Sequence, residues 1–457
     1  MTAELLTGWG RTAATVADVS RPTTREEVVD ALHLGLARGR GVLPRGLARS
    51  YGDAALNAGG SVLDLTGLDK IHSIDADAGL VTADAGVSLD TLIKHLVPLG
   101  WFVAVSPGTR YVTIGGAIAS DIHGKNHHVE GTFCQHVRSM DLLLPSGEIR
   151  TLTPDGGPDD PDGAAFWATA GGMGLTGIVL RATLDLLPIT SAYMRVDTER
   201  PENLDDCMQR MTERDDEYRY SVAWVDSLTR GANMGRSVLQ RGDHAHVDEL
   251  PARKLKRGPL KYVAEPKLSA PPWVPDGLLR PSTVRAFNEL WFRKAPKQNT
   301  GYESIPFFSH PLDGVLQWNT IYGRPGFIQY QFAVPLEATE TVRAALDRLS
   351  GAKCPSFLTV LKRFGPANRG PLSFPQPGWT LTVDIPASLD GLGPLLDGLD
   401  ELVVSAGGRV YLSKDSRLRP DLLAAMYPRI DEWRAVRAGL DPERLLQSDL
   451  ARRLDLL

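Results

Sequence analysis

Cysteine is scarce in this chain: Cys134, Cys207 and Cys354 are the whole complement among 457 residues. An odd and scattered set argues against a disulfide framework. Long apolar runs are missing too, and none approaches the ~20 residues that cross a bilayer. Residues 1–12 have neither a basic start nor an apolar core, so no ordinary export signal is expected. A basic excess is also absent, and a net charge of −5 argues against a nucleic-acid binder. Repeats and low-complexity tracts do not occur. What remains, 42% hydrophobic and 23% charged residues, is ordinary for a folded globular protein. The length leaves room for two or three domains.

Against that background two glycine-rich stretches stand out. One is Pro107-Gly108-Thr109 followed by Gly115-Gly116-Ala117-Ile118-Ala119-Ser120-Asp121-Ile122-His123-Gly124-Lys125-Asn126. Glycine lets the backbone approach a ligand closely. A run without a bulky polar side chain until His123 suits a flat aromatic ligand laid on the main chain. It reads as too polar and too glycine-rich for a buried helix. The other, Pro44-Arg45-Gly46-Leu47-Ala48-Arg49-Ser50-Tyr51-Gly52-Asp53, follows a strand end at Val42-Leu43. Such a loop offers N–H groups, a hydroxyl and guanidinium charge to an anion such as a pyrophosphate. Residues 61–65 and 79–86 read as strands, and Ser88 as the cap of a helix over 89–99.

In that order, the PRGxxRSYGD loop, two strands, a helix, PGT and GGAIASDIHGKN resemble the FAD-binding domain of the vanillyl-alcohol-oxidase flavoprotein superfamily. Within it, the chain is similar nearly end to end to the actinobacterial oxidases of lipid-linked ribose. The likeness is carried by 120–141 (SDIHGKNHHVEGTFCQHVRSMD), 166–177 (FWATAGGMGLTG), 326–332 (GFIQYQF) and 361–366 (LKRFGP). It continues at 414–417 (KDSR), 427–433 and 448–454 (SDLARRL). The resemblance implies an α+β fold of two domains. An FAD-binding domain would span 1–188, completed by 409–457, and a substrate domain 189–408 would hold an antiparallel sheet backed by helices. The implied reaction is FAD-dependent oxidation of the 2′-hydroxyl of decaprenylphosphoryl-β-D-ribose to a 2′-keto product. That is half of an epimerisation feeding cell-wall arabinan, and a separate NAD(P)H-dependent keto-reductase subunit would complete it. Peripheral attachment to the periplasmic face of the plasma membrane is implied as well, whereas the missing export signal leaves the cytoplasm open.

Carried onto matching positions, the resemblance assigns Arg45, Gly46, Arg49, Ser50, Tyr51, Gly52, Pro107, Gly108 and Thr109 to the flavin. Gly115, Gly116, Ser120, His123, Gly124, Asn126, Ile178 and Lys414 join them. The substrate takes Lys125, Trp224, Gln329, Gln331, Lys362, Phe364, Thr380 and Thr382, and catalysis takes Lys414, His123 and Tyr51. Lys414 comes first for proton handling. As a base it needs burial or nearby positive charge, which favour its neutral form. Pairing with a phosphate or a flavin carbonyl is the other role open to it.

Gly172-Met173-Gly174-Leu175-Thr176-Gly177 matches the dinucleotide fingerprint letter for letter. That fingerprint needs a strand before it and a helix after it. Here 164–170 reads as a helix and 178–184 as a strand, so the motif is a tight connection and no NAD site is expected. Period-2 alternation marks strands at 220–225, 327–334, 357–362 and 379–385, with helices at 338–349 and 389–406. On the last strand Trp379, Leu381, Val383 and Ile385 share one face, and Thr380, Thr382 and Asp384 the other. Gln329 and Gln331 also share a face. Such faces either meet solvent or, with Lys362, form a wall for sugar hydroxyls, which amides and hydroxyls suit as partners.

Residues 241–281 carry Arg253, Lys254, Lys256, Arg257, Lys261 and Lys267 among seven prolines, with Leu255, Leu260, Tyr262 and Trp273. This composition predicts a flexible basic loop able to rest on anionic headgroups and admit a polyprenyl phosphate. His123, His127, His128 and His136 crowd one region, but His127 and His128 would point apart in extended chain, so no metal is expected.

Two departures from the family pattern carry weight. Many superfamily oxidases attach flavin through a histidine just before the serine of the first loop. Here Arg49 precedes Ser50, so the FAD is expected to be noncovalent. Mycobacterial members carry a cysteine where this chain has Thr382, so inhibitors that trap that thiol should form no adduct. Two other readings stand beside this one. An aldonolactone or alditol oxidase of a soluble sugar is disfavoured by the HGKNHH and KDSR blocks; a flavin-free binding protein would keep only the fold.

Overall fold

The computed structural model describes residues 1–155, 160–271, 273–274 and 277–457, and every count below refers to those residues. The chain opens with β1 (Thr2–Thr7), β2 (Ala14–Ser20), β3 (Val42–Arg45) and β4 (Ser61–Asp64), in the sheet order β1-β2-β4-β3. β2, β4 and β3 run parallel. The helix Arg25–Leu36 links β2 to β3 and buries Val28 and Leu32 against Val42 and Leu63.

A second sheet holds β5 (Ile71–Asp75), β6 (Leu80–Asp84), β7 (Trp101–Val103), β8 (Val137–Leu143), β9 (Ile149–Leu152) and β10 (Ile178–Pro188), with β10 between β6 and β8. Ser88 Oγ caps the next helix, accepting from the Thr91 N–H at 3.0 Å. The expected end at Leu99 is corrected. The α-helix stops at Leu96 and residues 97–99 tighten into a 3₁₀ turn, because Pro98 has no N–H for the ladder.

Residues Ile114–Ala119, expected to avoid helix, form a short one. Thr113 Oγ1 accepts from the Gly116 N–H at 3.2 Å, so the cap offsets the glycines' low propensity. Ile114, Ala117 and Ile118 enter the core, while Gly115 and Gly116 lie half-buried on the other side.

Then follow β11 (Tyr193–Glu199), β12 (Tyr220–Val225), β13 (Ser237–His244), β14 (Leu268–Ser269), β15 (Gln298–Ser304) and β16 (Val315–Leu316). The last four are β17 (Phe327–Val334), β18 (Thr359–Phe364), β19 (Gly378–Pro386) and β20 (Arg409–Val410). Eight of these ten form one antiparallel sheet, ordered β15-β11-β13-β12-β18-β19-β17-β20, and β14 pairs with β16 separately. Phe332, Leu381 and Val383 pack with Leu346 and Leu349 of the helix Thr339–Gly351 and Leu396 and Leu399 of the helix Leu392–Ser405.

Two expected boundaries move. Arg409–Val410 still belong to the substrate-side sheet, so the tail leaves it only after β20. Arg241–His244 belong to β13 and not to a loop, with Arg241 buried beside Glu199. Further along that segment, Pro259 O accepts from the Ala192 N–H at 2.7 Å and the Lys267 N–H donates to Gly314 O at 2.9 Å. Residues 272, 275 and 276 of it lie outside the described residues. The C-terminal segment packs on the first sheet. The Val42 N–H donates to Leu445 O at 2.9 Å, and Arg453 bridges Asp53 and Asp415 at 2.8 Å each.

Candidate active site

Directly paired residues on antiparallel strands point to one face of a sheet. Trp224, Val360, Thr382 and Gln331 form such a row across β12, β18, β19 and β17. Lys362 with Thr380, and Asp384 with Gln329, flank it. Half of this face is shut from solvent: Gln329, Gln331, Thr380, Thr382 and Asp384 are buried, with His123 of the HGKN loop over Gln331, while Trp224, Val360 and Lys362 are half-buried. Gln331 Nε2 donates to Thr380 Oγ1 and to His123 Nε2, each at 3.0 Å. The His123 proton therefore sits on Nδ1, which is buried and has no protein partner. Burial foremost, then the charges of Lys362 and Lys414, hold this imidazole neutral, well below its usual range. Phe364 packs on it edge-on at 4.8 Å.

The KDSR loop closes the other side. The Tyr51 N–H donates to Ser413 O at 3.0 Å, and a Cβ on Gly52 would come within 2.0 Å of Asp415 O. Only glycine fits there. Lys414 Nζ stands 5.7 Å from the Tyr51 ring centre. Asp384 accepts from Gln329 Nε2 at 2.5 Å and from the Tyr322 hydroxyl at 3.0 Å. Burial pulls Lys414 and Lys362 down to about 7 and Lys125 down to about 8. The same burial raises the Asp384 carboxyl, and burial with Asp384 raises the Tyr51 phenol. Among the described residues neither Lys362 nor Lys414 has a carboxylate in ion-pair contact; each sees an aromatic ring. Lys125 Nζ donates to Phe308 O.

The remaining positions separate into lining and scaffold. Gly108 is exposed, with nothing near an added Cβ, and Pro107 is half-buried beside it. A Cβ on Gly46 would approach Thr113 Oγ1 at 2.2 Å, so the two glycine stretches touch. Arg49 stacks over Trp9 at 4.2 Å and leaves its Nε unpartnered. The Arg45 guanidinium donates to Ala55 O at 2.6 Å and Thr7 O at 3.0 Å. Ser50 O accepts from the Trp9 N–H, and Thr109 Oγ1 donates to Asp313. Asn126 Nδ2 donates to Ala104 O at 2.8 Å, and Gly124 presses against that amide, so both shape the loop. Ser120 O accepts from the Tyr411 hydroxyl. The Ile178 side chain lies in the apolar cluster with Val28, Leu32 and Leu143, leaving only its backbone to meet a ligand. Trp224 Nε1 donates to Phe357 O at 2.9 Å.

The histidine cluster disperses. His127 Nδ1 accepts from the Gly365 N–H, His128 Nε2 donates to Tyr218 O, and His136 Nε2 donates to Glu130 O. Sequence reasoning missed the pivot Asp121. It is buried at φ 38° and accepts from the Cys134 N–H, Ser373 Oγ and Asn368 Nδ2. It joins the glycine helix to the substrate side. Asp384 was visible on the polar face of its strand, but its partner Tyr322 was not.

The donor set fits a flavin. It offers glycine backbone free of side chains, an unpartnered buried N–H on His123, and two half-buried lysines, Lys362 and Lys414, neither in ion-pair contact with a carboxylate among the described residues. A family model described as an FAD binding domain matches residues 16–153. The chain is 47% identical over 458 residues to decaprenylphosphoryl-beta-D-ribose oxidase of Mycolicibacterium smegmatis, covering 100% of this chain and 98% of that protein. This chain belongs to the decaprenylphosphoryl-ribose oxidase family. It is also similar to L-gulono-1,4-lactone dehydrogenase of Mycobacterium tuberculosis, 23% identical over 95% of each chain. Cytokinin dehydrogenase 10 of rice matches at 29% identity, over 38% of this chain and 32% of its own. The family is one of FAD-dependent oxidoreductases acting on a CH–OH group, on the two-domain α+β fold seen here. No helix among the described residues is long and apolar enough to cross a membrane.

Proposed function

We propose that this chain oxidises the 2′-hydroxyl of decaprenylphosphoryl-β-D-ribose to the 2′-keto compound. The observation that carries this reading is the polar wall of buried Gln331, Thr380 and Thr382 with half-buried Lys362, facing His123 and Lys414. FAD, held noncovalently by the backbone of 46–52, 107–109 and 115–120, supplies the hydride acceptor when bound. Lys414, partly neutral near pH 7, takes the hydroxyl proton, and the Asp384 carboxylate stabilises the ammonium that results. Tyr51 stays protonated and donates a hydrogen bond. Neutral His123 fixes the Gln331 amide. Lys362 and Lys125 are point charges suited to the substrate phosphate.

A separate NAD(P)H-dependent reductase would return hydride to the ketone. Peripheral membrane contact is supported by charge: residues 251–297 hold eleven Lys and Arg against three Asp and Glu, in a chain of net −5. A 1–188 plus 411–457 flavin domain and a 189–410 substrate domain complete the proposal. A second reading, oxidation of a soluble lactone or alditol, draws on the lactone-dehydrogenase likeness. Product analysis with prenylphosphoryl ribose against free lactones and pentitols separates the two. Turnover of the soluble sugars alone would overturn the first.

A further inference from the structure

The aromatic rings beside Asp384 continue outward from the site. Tyr322, which donates to Asp384, stacks on Phe357 with 5.8 Å between ring centres. Phe357 meets Phe287 edge-on at 6.1 Å, and Phe287 stacks on Trp291 at 6.1 Å with 16° between planes. Exposure rises along the series, from 5% at Tyr322, through half-buried Phe357, to 43% at Phe287 and 44% at Trp291. On the helix Pro281–Lys294, Phe287, Leu290 and Trp291 fall at i, i+3 and i+4 and share an uncovered face. The buried edge of the same stripe anchors the helix: Val284, three residues before Phe287, is buried, and Asn288, three before Trp291, donates Nδ2 to Asp226 Oδ1 at 2.8 Å. The Trp224 indole bond to Phe357 O ties the path to the polar sheet face. Contiguous exposed rings on a fixed helix mark a binding surface.

We infer that the half-buried to exposed series Trp224–Phe357–Phe287–Trp291 is an apolar subsite that carries the isoprenoid tail of the substrate away from the reacting sugar. The inference rests on the lipid-linked reading above. Its ground is continuity: with the sugar at Lys414 and the phosphate at Lys362, the tail is left to run from Trp224, which shares the polar row with Thr382 and Gln331, past Phe357 and out to Phe287 and Trp291 in solvent.

The test uses the full-length FAD-loaded protein without detergent or vesicles. Its substrates are ribosyl phosphates carrying a farnesyl or a five-carbon prenyl tail. The variant is Phe287→Ser with Trp291→Ser, whose folding is checked by Tm and flavin content. The KM for the farnesyl substrate should rise about ten-fold or more. The KM for the five-carbon substrate and both kcat values should stay unchanged. If the parent protein oxidises neither substrate, the lipid-linked reading falls and the subsite with it. If it oxidises both and the variant leaves the ratio of KM values unaltered, the subsite alone is overturned.

Discussion

On one face of β19, Trp379, Leu381, Val383 and Ile385 enter an apolar cluster backed by two helices. On the other, Thr380, Thr382 and Asp384 are buried to the same degree against Gln331, His123 and Lys414. Solvent exposure does not separate the two faces. Hydrogen-bond satisfaction does. The apolar side is filled with carbon and has nothing left to bind. The polar side keeps His123 Nδ1 and Gln331 Oε1 unpartnered and holds its lysines far below their ordinary titration. Buried polar groups without partners are rare in folded proteins, and perturbed titration gathers at functional sites. One strand thus serves stability with its odd-numbered residues and chemistry with its even-numbered ones.

The contrast is broken most severely by Lys414→Met. Removing the base should lower kcat by about 10²–10⁴-fold in steady-state assays, with flavin content and Tm near those of the parent. Leu381→Ala, one position from Thr382, should do the reverse. Its cavity should cost about 2–5 kcal/mol in denaturant unfolding while kcat per bound FAD is kept. The pH profile sharpens the comparison. Lys414, lowered to about 7, gains its neutral form as pH rises, so kcat/KM should climb through pH 7. Asp384→Asn removes the carboxylate that favours the charged lysine, so the climb should move to lower pH. The smallest effect concerns Thr382. Cys134, Cys207 and Cys354 are buried and their thiols pushed up, to about 12 for the latter two, so the native protein should resist thiol reagents. Thr382→Cys puts a thiol on the wall of the site, so it should take one adduct by mass spectrometry from an inhibitor that enters the site and traps thiols, with little change in Tm.

Much of the fold was legible because alternation is a local signal. The strands at Tyr220–Val225 and Phe327–Val334 stand where the pattern put them. The helix at Ile114–Ala119 was hidden because glycine content outweighed a single capping threonine. The basic composition after residue 241 masked Arg241, whose charge is neutralised inside the sheet by Glu199, a partner distant in sequence. In the site, the glycine stretches and KDSR could be read as blocks. Tyr322 could not be paired with Asp384, since only the folded sheet brings residues 62 apart within hydrogen-bond reach. The carbonyls that hold the Arg45 guanidinium, Ala55 O and Thr7 O, were equally out of reach of a linear reading.

The central claim is that the wall facing His123 and Lys414 presents a lipid-linked ribose to bound FAD. It is tested most directly by mixing the FAD-loaded protein anaerobically with prenylphosphoryl ribose and following the flavin absorbance. The yellow colour should be lost, with one 2′-keto product formed per flavin. A flavin that stays oxidised with this substrate but bleaches with a free pentitol or lactone would contradict it.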